Sequence, residues 1–121
     1  MDFILLVDDS KVARMLISRG VAEAMPGLEI VEAVHAEDAI EKLTERGQAP
    51  KLTVIDYNMP GMTGLEFAGW MDTNWPGAPK VLCTANIQDS LVQRAAEVGV
   101  SVLPKPFSIS KLREVVGLPA A

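Results

Sequence analysis

Residues 3–9 read FILLVDD: five apolar residues in succession, then two adjacent aspartates. So short and continuous an apolar run marks a strand covered on both faces, as in a parallel sheet held between helices. Four comparable runs follow: LEIVEAV (28–34), KLTVI (51–55), KVLCTA (80–85) and VSVLP (100–104). Amphipathic stretches separate them. Ser10 is placed to cap a helix over 10–24, where Ala13, Leu16, Ile17, Gly20 and Ala24 recur at helical spacing. Residues 36–46 carry Ala36, Ala39, Ile40 and Leu43 on one stripe and stop at Gly47. A third helix is predicted over 63–73 with Thr63 as its cap, a fourth over 87–98 closing at Gly99, and a fifth over 108–116 from Ser108. Five strand–helix units in a row imply one α/β domain over 1–121, doubly wound, with helices on both faces of a parallel sheet.

Bulk properties narrow the function. The 121 residues are enough for one core, and 49% hydrophobic with 22% charged residues is ordinary globular composition. A net charge of −5 with the 11 basic residues scattered disfavours direct nucleic-acid binding. Cys83 is the only cysteine, so no intrachain disulfide or cysteine metal cage is available. The N-terminal residues lack the basic leader and long apolar run of a signal peptide, and no stretch approaches the roughly 20 apolar residues of a membrane span. The expectation is a cytoplasmic protein.

In a doubly wound sheet, ligands bind beyond the carboxyl ends of the strands. Asp8 and Asp9 follow the first strand, Asp56 the third, Thr84 ends the fourth, and the fifth runs into Lys105 and Pro106. Three carboxylates crowded at one edge raise one another's pKa values, and a hard divalent cation relieves that repulsion. An all-oxygen set completed by water and phosphate oxygens suits Mg²⁺ better than Zn²⁺, and the lysine adds fixed positive charge. Metal, anion and lysine together point to phosphoryl transfer.

Taken singly, each residue admits a plainer reading. Asp8, Asp9 and Asp56 are common turn or cap residues, Thr84 would serve as a helix cap, and Lys105 as a solvated lysine. Pro106 would rigidify its loop or adopt a cis bond. His35 reads as a loop residue, Cys83 as a small buried hydrophobe, and Trp70 and Trp75 as partly packed aromatics. The joint arrangement, on one edge and in chain order, favours the chemical reading.

VDDS after the first strand, DYNMPGMTG around Asp56, TA at 84–85 and KPF at 105–107 resemble the receiver domains of two-component response regulators, the CheY-like family. The resemblance covers nearly the whole chain. It implies a flavodoxin-like three-layer sandwich, (βα)5, with sheet order 2-1-3-4-5. It also implies that Asp56 is the phosphoacceptor, and that Asp9 and Asp56 ligate Mg²⁺ directly. Asp8 would do so mainly through water, and the Asn58 carbonyl would complete the protein's share. Lys105 would pair with Asp56 or its phosphoryl group, and Thr84 would move to bond a phosphoryl oxygen. Implied partners are a sensor histidine kinase or histidine phosphotransfer protein and a downstream protein target, with the chain monomeric or dimerising on phosphorylation. No enzymatic activity is expected beyond Mg²⁺-assisted self-phosphorylation and autodephosphorylation.

One departure stands out. The fifth-strand position that is usually aromatic in this family is Val102, which has no ring to swing and no hydroxyl. Output is then expected through backbone loop shifts or a different face. In this family the positions of Asn58 and Asn86 gate water access to the phosphoaspartate, and here neither is an acid or a long amide. Other functions compatible with the residues are a phosphate sink, a phosphorylation-independent adaptor, and a phosphohydrolase of the haloacid dehalogenase type. That last class carries D-x-D after its first strand, whereas Asp8 and Asp9 are adjacent and no cap insertion is evident.

Overall fold

The computed structural model describes residues 2–116. The elements run β1 (Phe3–Val7), α1 (Lys11–Ala24), β2 (Glu29–Ala33), α2 (Ala36–Arg46), β3 (Leu52–Asp56), α3 (Gly64–Asn74), β4 (Lys80–Thr84), α4 (Asp89–Glu97), β5 (Ser101–Pro104) and α5 (Ile109–Val116). All strand pairs are parallel, in the order β2-β1-β3-β4-β5. This is the doubly wound flavodoxin-like sandwich expected from the sequence.

Alternate residues of the central strands feed two separate cores. Phe3, Leu5, Val7, Ile55 and Leu82 pack with Leu43 of α2, Phe67 and Met71 of α3, and Leu91 of α4. Ile4, Leu6, Val54, Val81 and Cys83 pack with Val21 of α1 and Leu112 of α5. Both faces are thus apolar, which is why β1, β3 and β4 are buried along their whole length. β2 lies at the sheet edge and is partly exposed, and it keeps charges at Glu29 and Glu32. Among the described residues, no helix is long and apolar enough to cross a membrane.

The chain winds from β1 outward to β2 and then returns to lay β3 on β1's other side. The strand order reverses there, so the helices diverge and leave a crevice beyond β1 and β3. Local signals hold the flanking helices in place. Ser10 Oγ accepts from the Ala13 amide at 3.2 Å, and Gly47 closes α2 in the left-handed region at φ 63°. Thr63 and Glu66 form a reciprocal capping box at the start of α3: each side chain accepts from the other's amide, at 3.1 and 2.9 Å. The Thr63 amide and hydroxyl hold the Glu66 carboxyl below its usual range. Thr63→Ala is expected to lower stability by about 1 kcal/mol in a urea melt; no change would mean that the box forms without stabilising α3.

Several boundaries and one role differ from the sequence reading. β3 extends to Asp56, so the aspartate closes the strand instead of opening the loop. α4 begins at Asp89, because Gln88 at the cap position makes no side-chain bond and residues 85–88 stay in the loop. α5 begins at Ile109, with Ser108 Oγ accepting from the Lys111 amide at 3.1 Å. His35 is more than a loop residue: its Nδ1 accepts from the Asp38 amide at 3.0 Å, making it the N-cap of α2.

Candidate functional site

The parallel register brings the candidate residues together. Val7 is paired with both Ala33 and Ile55, so the chain leaves β1 beside the end of β3. Asp56 pairs with Cys83 and Thr84 with Pro104, which sets Lys105 one residue beyond the last rung. The Lys105 amide donates to the Thr84 carbonyl at 2.9 Å, and the Tyr57 amide to the Cys83 carbonyl at 2.9 Å, carrying the ladder past the strands. The Lys105–Pro106 peptide is cis.

Asp8 is 4% exposed and Asp56 7%, while Asp9 is open to solvent. Carboxylate oxygens of Asp8, Asp9 and Asp56 lie within 4.8 Å of one another. Lys105 Nζ bridges the two buried acids, 2.9 Å from Asp56 Oδ1 and 3.2 Å from Asp8 Oδ2. One ammonium against three carboxylates leaves the cluster electron-rich. Burial pushes the Asp56 carboxyl up and the negative charges of Asp8 and Asp9 add to it, while the Lys105 hydrogen bond opposes them. For Lys105, burial pulls down, but its bonds to Asp56 and Asp8 outweigh it and hold the ammonium above its usual range. Burial drives the Cys83 thiol up to about 12, so this cysteine is a packed hydrophobe without nucleophilic character.

The donor set fits a hard divalent cation. It consists of oxygens alone, two of them on buried carboxylates whose mutual repulsion a cation would relieve. Mg²⁺ matches such a set, since it binds through a few carboxylates and keeps its remaining positions for water and phosphate oxygens. Nothing soft is offered to zinc.

Around this cluster stand the other predicted residues. Thr84 is buried, and its Oγ1 accepts from the Asn86 amide at 3.2 Å and lies 3.4 Å from the Asn86 carbonyl. It turns back on the β4–α4 loop and does not cap α4, whose cap position is Gln88. Asn58 is exposed, two residues past Asp56, and lines a small polar cavity with Thr84 and Asn86. Val102 is half-buried and packs against the core shared by α2, α3 and α4. Trp70 stacks on Phe67 and meets Trp75 edge-on.

One supporting residue was not anticipated. Arg14 of α1 donates from Nη1 to the Asp8 carbonyl at 2.6 Å and from Nε to Glu32 at 3.0 Å. Asp8 is further fixed by the Ser10 amide, which donates to its Oδ1 at 2.9 Å. Arg14 follows Ser10 by one helical turn, so its proximity to Asp8 was implicit in the spacing once the cap was assigned.

Residues 4–117 match the family model of the response regulator receiver domain. The chain belongs to this family. Among curated relatives, the probable chemotaxis protein CheY of Rhizobium etli is 35% identical over 117 residues, covering 93% of this chain and 88% of that protein. The transcriptional activator ExaE of Pseudomonas putida is 29% identical over 96 residues, and the match takes in only 44% of its length. Receiver domains of this kind therefore occur both nearly alone and within longer regulators. The chemotaxis protein CheY4 of Vibrio cholerae superposes with a TM-score of 0.80 at 28% identity, covering 95% of this chain and 98% of that structure.

Proposed function

We propose that this receiver domain is a phosphorylation switch: Asp56 accepts a phosphoryl group from a sensor histidine kinase or a phosphotransfer protein, and the modified domain changes its protein contacts. The observation that carries this reading is the placement of Lys105, bonded at once to Asp56 and Asp8 at the carboxyl edge of the sheet. An Asp56 oxygen attacks phosphorus in line; the new P–O bond forms as the P–N bond to the donor imidazole breaks, and the imidazole leaves with the electron pair. Lys105 orients the nucleophile beforehand and afterwards faces the phosphoryl oxygens. Asp8, Asp9, Asp56 and the Asn58 carbonyl would hold Mg²⁺, which when bound neutralises charge on the phosphoryl oxygens.

The product adds a charge of about −1.5 to −2 at the sheet edge. Thr84 is the nearest hydroxyl on β4 able to donate to it, and doing so means releasing Asn86 and shifting loop 85–88. Val102 cannot transmit that shift by rotating a ring, so the loop itself and α4 carry the output. In this reading the domain's own chemistry is the Mg²⁺-assisted phosphorylation and dephosphorylation of Asp56. It would meet its kinase in the cytoplasm, as a monomer or a phosphorylation-dependent dimer.

Intact mass after incubation with acetyl phosphate tests this. One phosphoryl adduct is expected, requiring Mg²⁺ and absent in Asp56→Asn. If no adduct forms and beryllofluoride does not bind either, the phosphoacceptor reading fails and a phosphorylation-independent adaptor takes its place.

A further inference from the structure

Beside the acids lies a second polar feature. A cavity of about 160 Å³ is walled by Tyr57 and Asn58 from the loop after Asp56, by Thr84 at the end of β4 and Asn86 in the loop beyond it, and by Arg94 of α4. It starts one residue past the acceptor and ends at a guanidinium. The neighbouring cations are committed elsewhere: Lys105 to Asp56 and Asp8, and Arg14 to Glu32 and the Asp8 carbonyl. Arg94 makes no hydrogen bond or ion pair within the described residues. α4 begins at Asp89 because loop 85–88 stays non-helical, and that loop length brings the second turn of the helix over Thr84.

An acidic domain with three clustered carboxylates repels anionic phosphodonors. A free guanidinium at the cavity wall offers a planar fork of donors suited to a carboxylate. Resting on the phosphoacceptor reading, we infer that this cavity is a leaving-group subsite that favours acyl phosphates as direct donors, with Arg94 as the specificity-determining residue. In that reaction the P–O bond to the acyl group breaks while the bond from Asp56 to phosphorus forms. The electron pair goes to the departing carboxylate, and its growing negative charge meets Arg94. A donor whose leaving group departs neutral gains nothing from the arginine.

Rates of Asp56 labelling with acetyl phosphate and with phosphoramidate, measured by intact mass in Mg²⁺ for the parent, Arg94→Ala and Arg94→Lys, separate the possibilities. Loss of one charge-assisted contact is expected to slow acetyl phosphate about tenfold in Arg94→Ala. The same variant should keep its phosphoramidate rate within about twofold, and Arg94→Lys should recover part of the acetyl phosphate rate. Equal slowing with both donors, or no slowing with either, overturns the subsite while the acceptor stands. A parent labelled by neither donor overturns the phosphoacceptor reading and the subsite with it. Arg94 is exposed on a helix and alanine is the best helix former, so the variant folds.

Discussion

Lys105→Ala is expected to lower the stability of the metal-free protein by about 2 to 3 kcal/mol at neutral pH, at the low end for a broken buried ion pair because the lysine is partly open to water. Its ammonium is the partner of two carboxylates that are each less than a tenth exposed, and removing it leaves both charged and facing each other. The pH dependence has a definite sign. The folded pKa of Lys105 is raised, so its pairing stabilises the fold throughout the neutral range and is lost only in strong alkali. The folded pKa of Asp56 is also raised, so ionised Asp56 destabilises the fold, fully above that pKa and less as the pH falls through it. Without Lys105 that penalty grows. The deficit of the variant should therefore be largest at neutral pH and shrink in mildly acidic buffer, where the folded variant takes up its proton before the unfolded chain does. Mg²⁺ at about a hundred times its Kd would add about 2.7 kcal/mol to whichever protein binds it. Urea melts between pH 4.5 and 8, with and without Mg²⁺, would show this. A deficit independent of both would mean that the acids are solvated individually and do not act as one cluster.

Much of this was legible because two independent patterns coincide. Continuous apolar strands are a direct consequence of burial on both faces, and FILLV (3–7) and VLC (81–83) are fully buried as their composition requires. The site followed from topology: in a parallel sheet every strand's carboxyl end lies on one edge, so residues 8, 56, 84 and 105 had to converge. What escaped depends on directions that spacing does not encode. His35 caps α2 through a ring nitrogen, a role that its residue type scarcely signals. Lys80 opens β4 where a lysine would be read as solvated, yet it is buried, its ammonium 3.2 Å from the Ala78 carbonyl and 3.9 Å from Asp72. Burial pulls its pKa down, with Asp72 opposing. Arg94 was invisible for a similar reason, since which turn of α4 overhangs Thr84 is set by the length of the loop before it.

Gly64→Ala is expected to reach both stability and chemistry, and by a route that no charge argument contains. Gly64 is the first residue of α3, and its amide donates to the Tyr57 carbonyl at 3.1 Å. A Cβ built there would sit 2.4 Å from the Asp56 carbonyl oxygen, 2.8 Å from Leu82 Cδ1 and 2.9 Å from the Tyr57 Cα. Two of these three atoms are backbone, so the strain cannot be relieved by turning a side chain. Either α3 lifts from the end of β3, or the segment carrying Asp56 moves. Overpacking of this kind costs about 3 kcal/mol. The capping box ties Thr63 to Glu66, so the start of α3 is expected to move as a unit. A shift of about 1 Å at a reacting group is enough to slow a positioned reaction about a hundredfold. The expected result is a lower urea midpoint together with slow labelling of Asp56 by both acetyl phosphate and phosphoramidate. That pattern differs from the donor-selective loss expected at Arg94. If alanine left stability and both rates unchanged, the close approach of α3 to β3 would not exist in solution, and the helix would not be what positions Asp56.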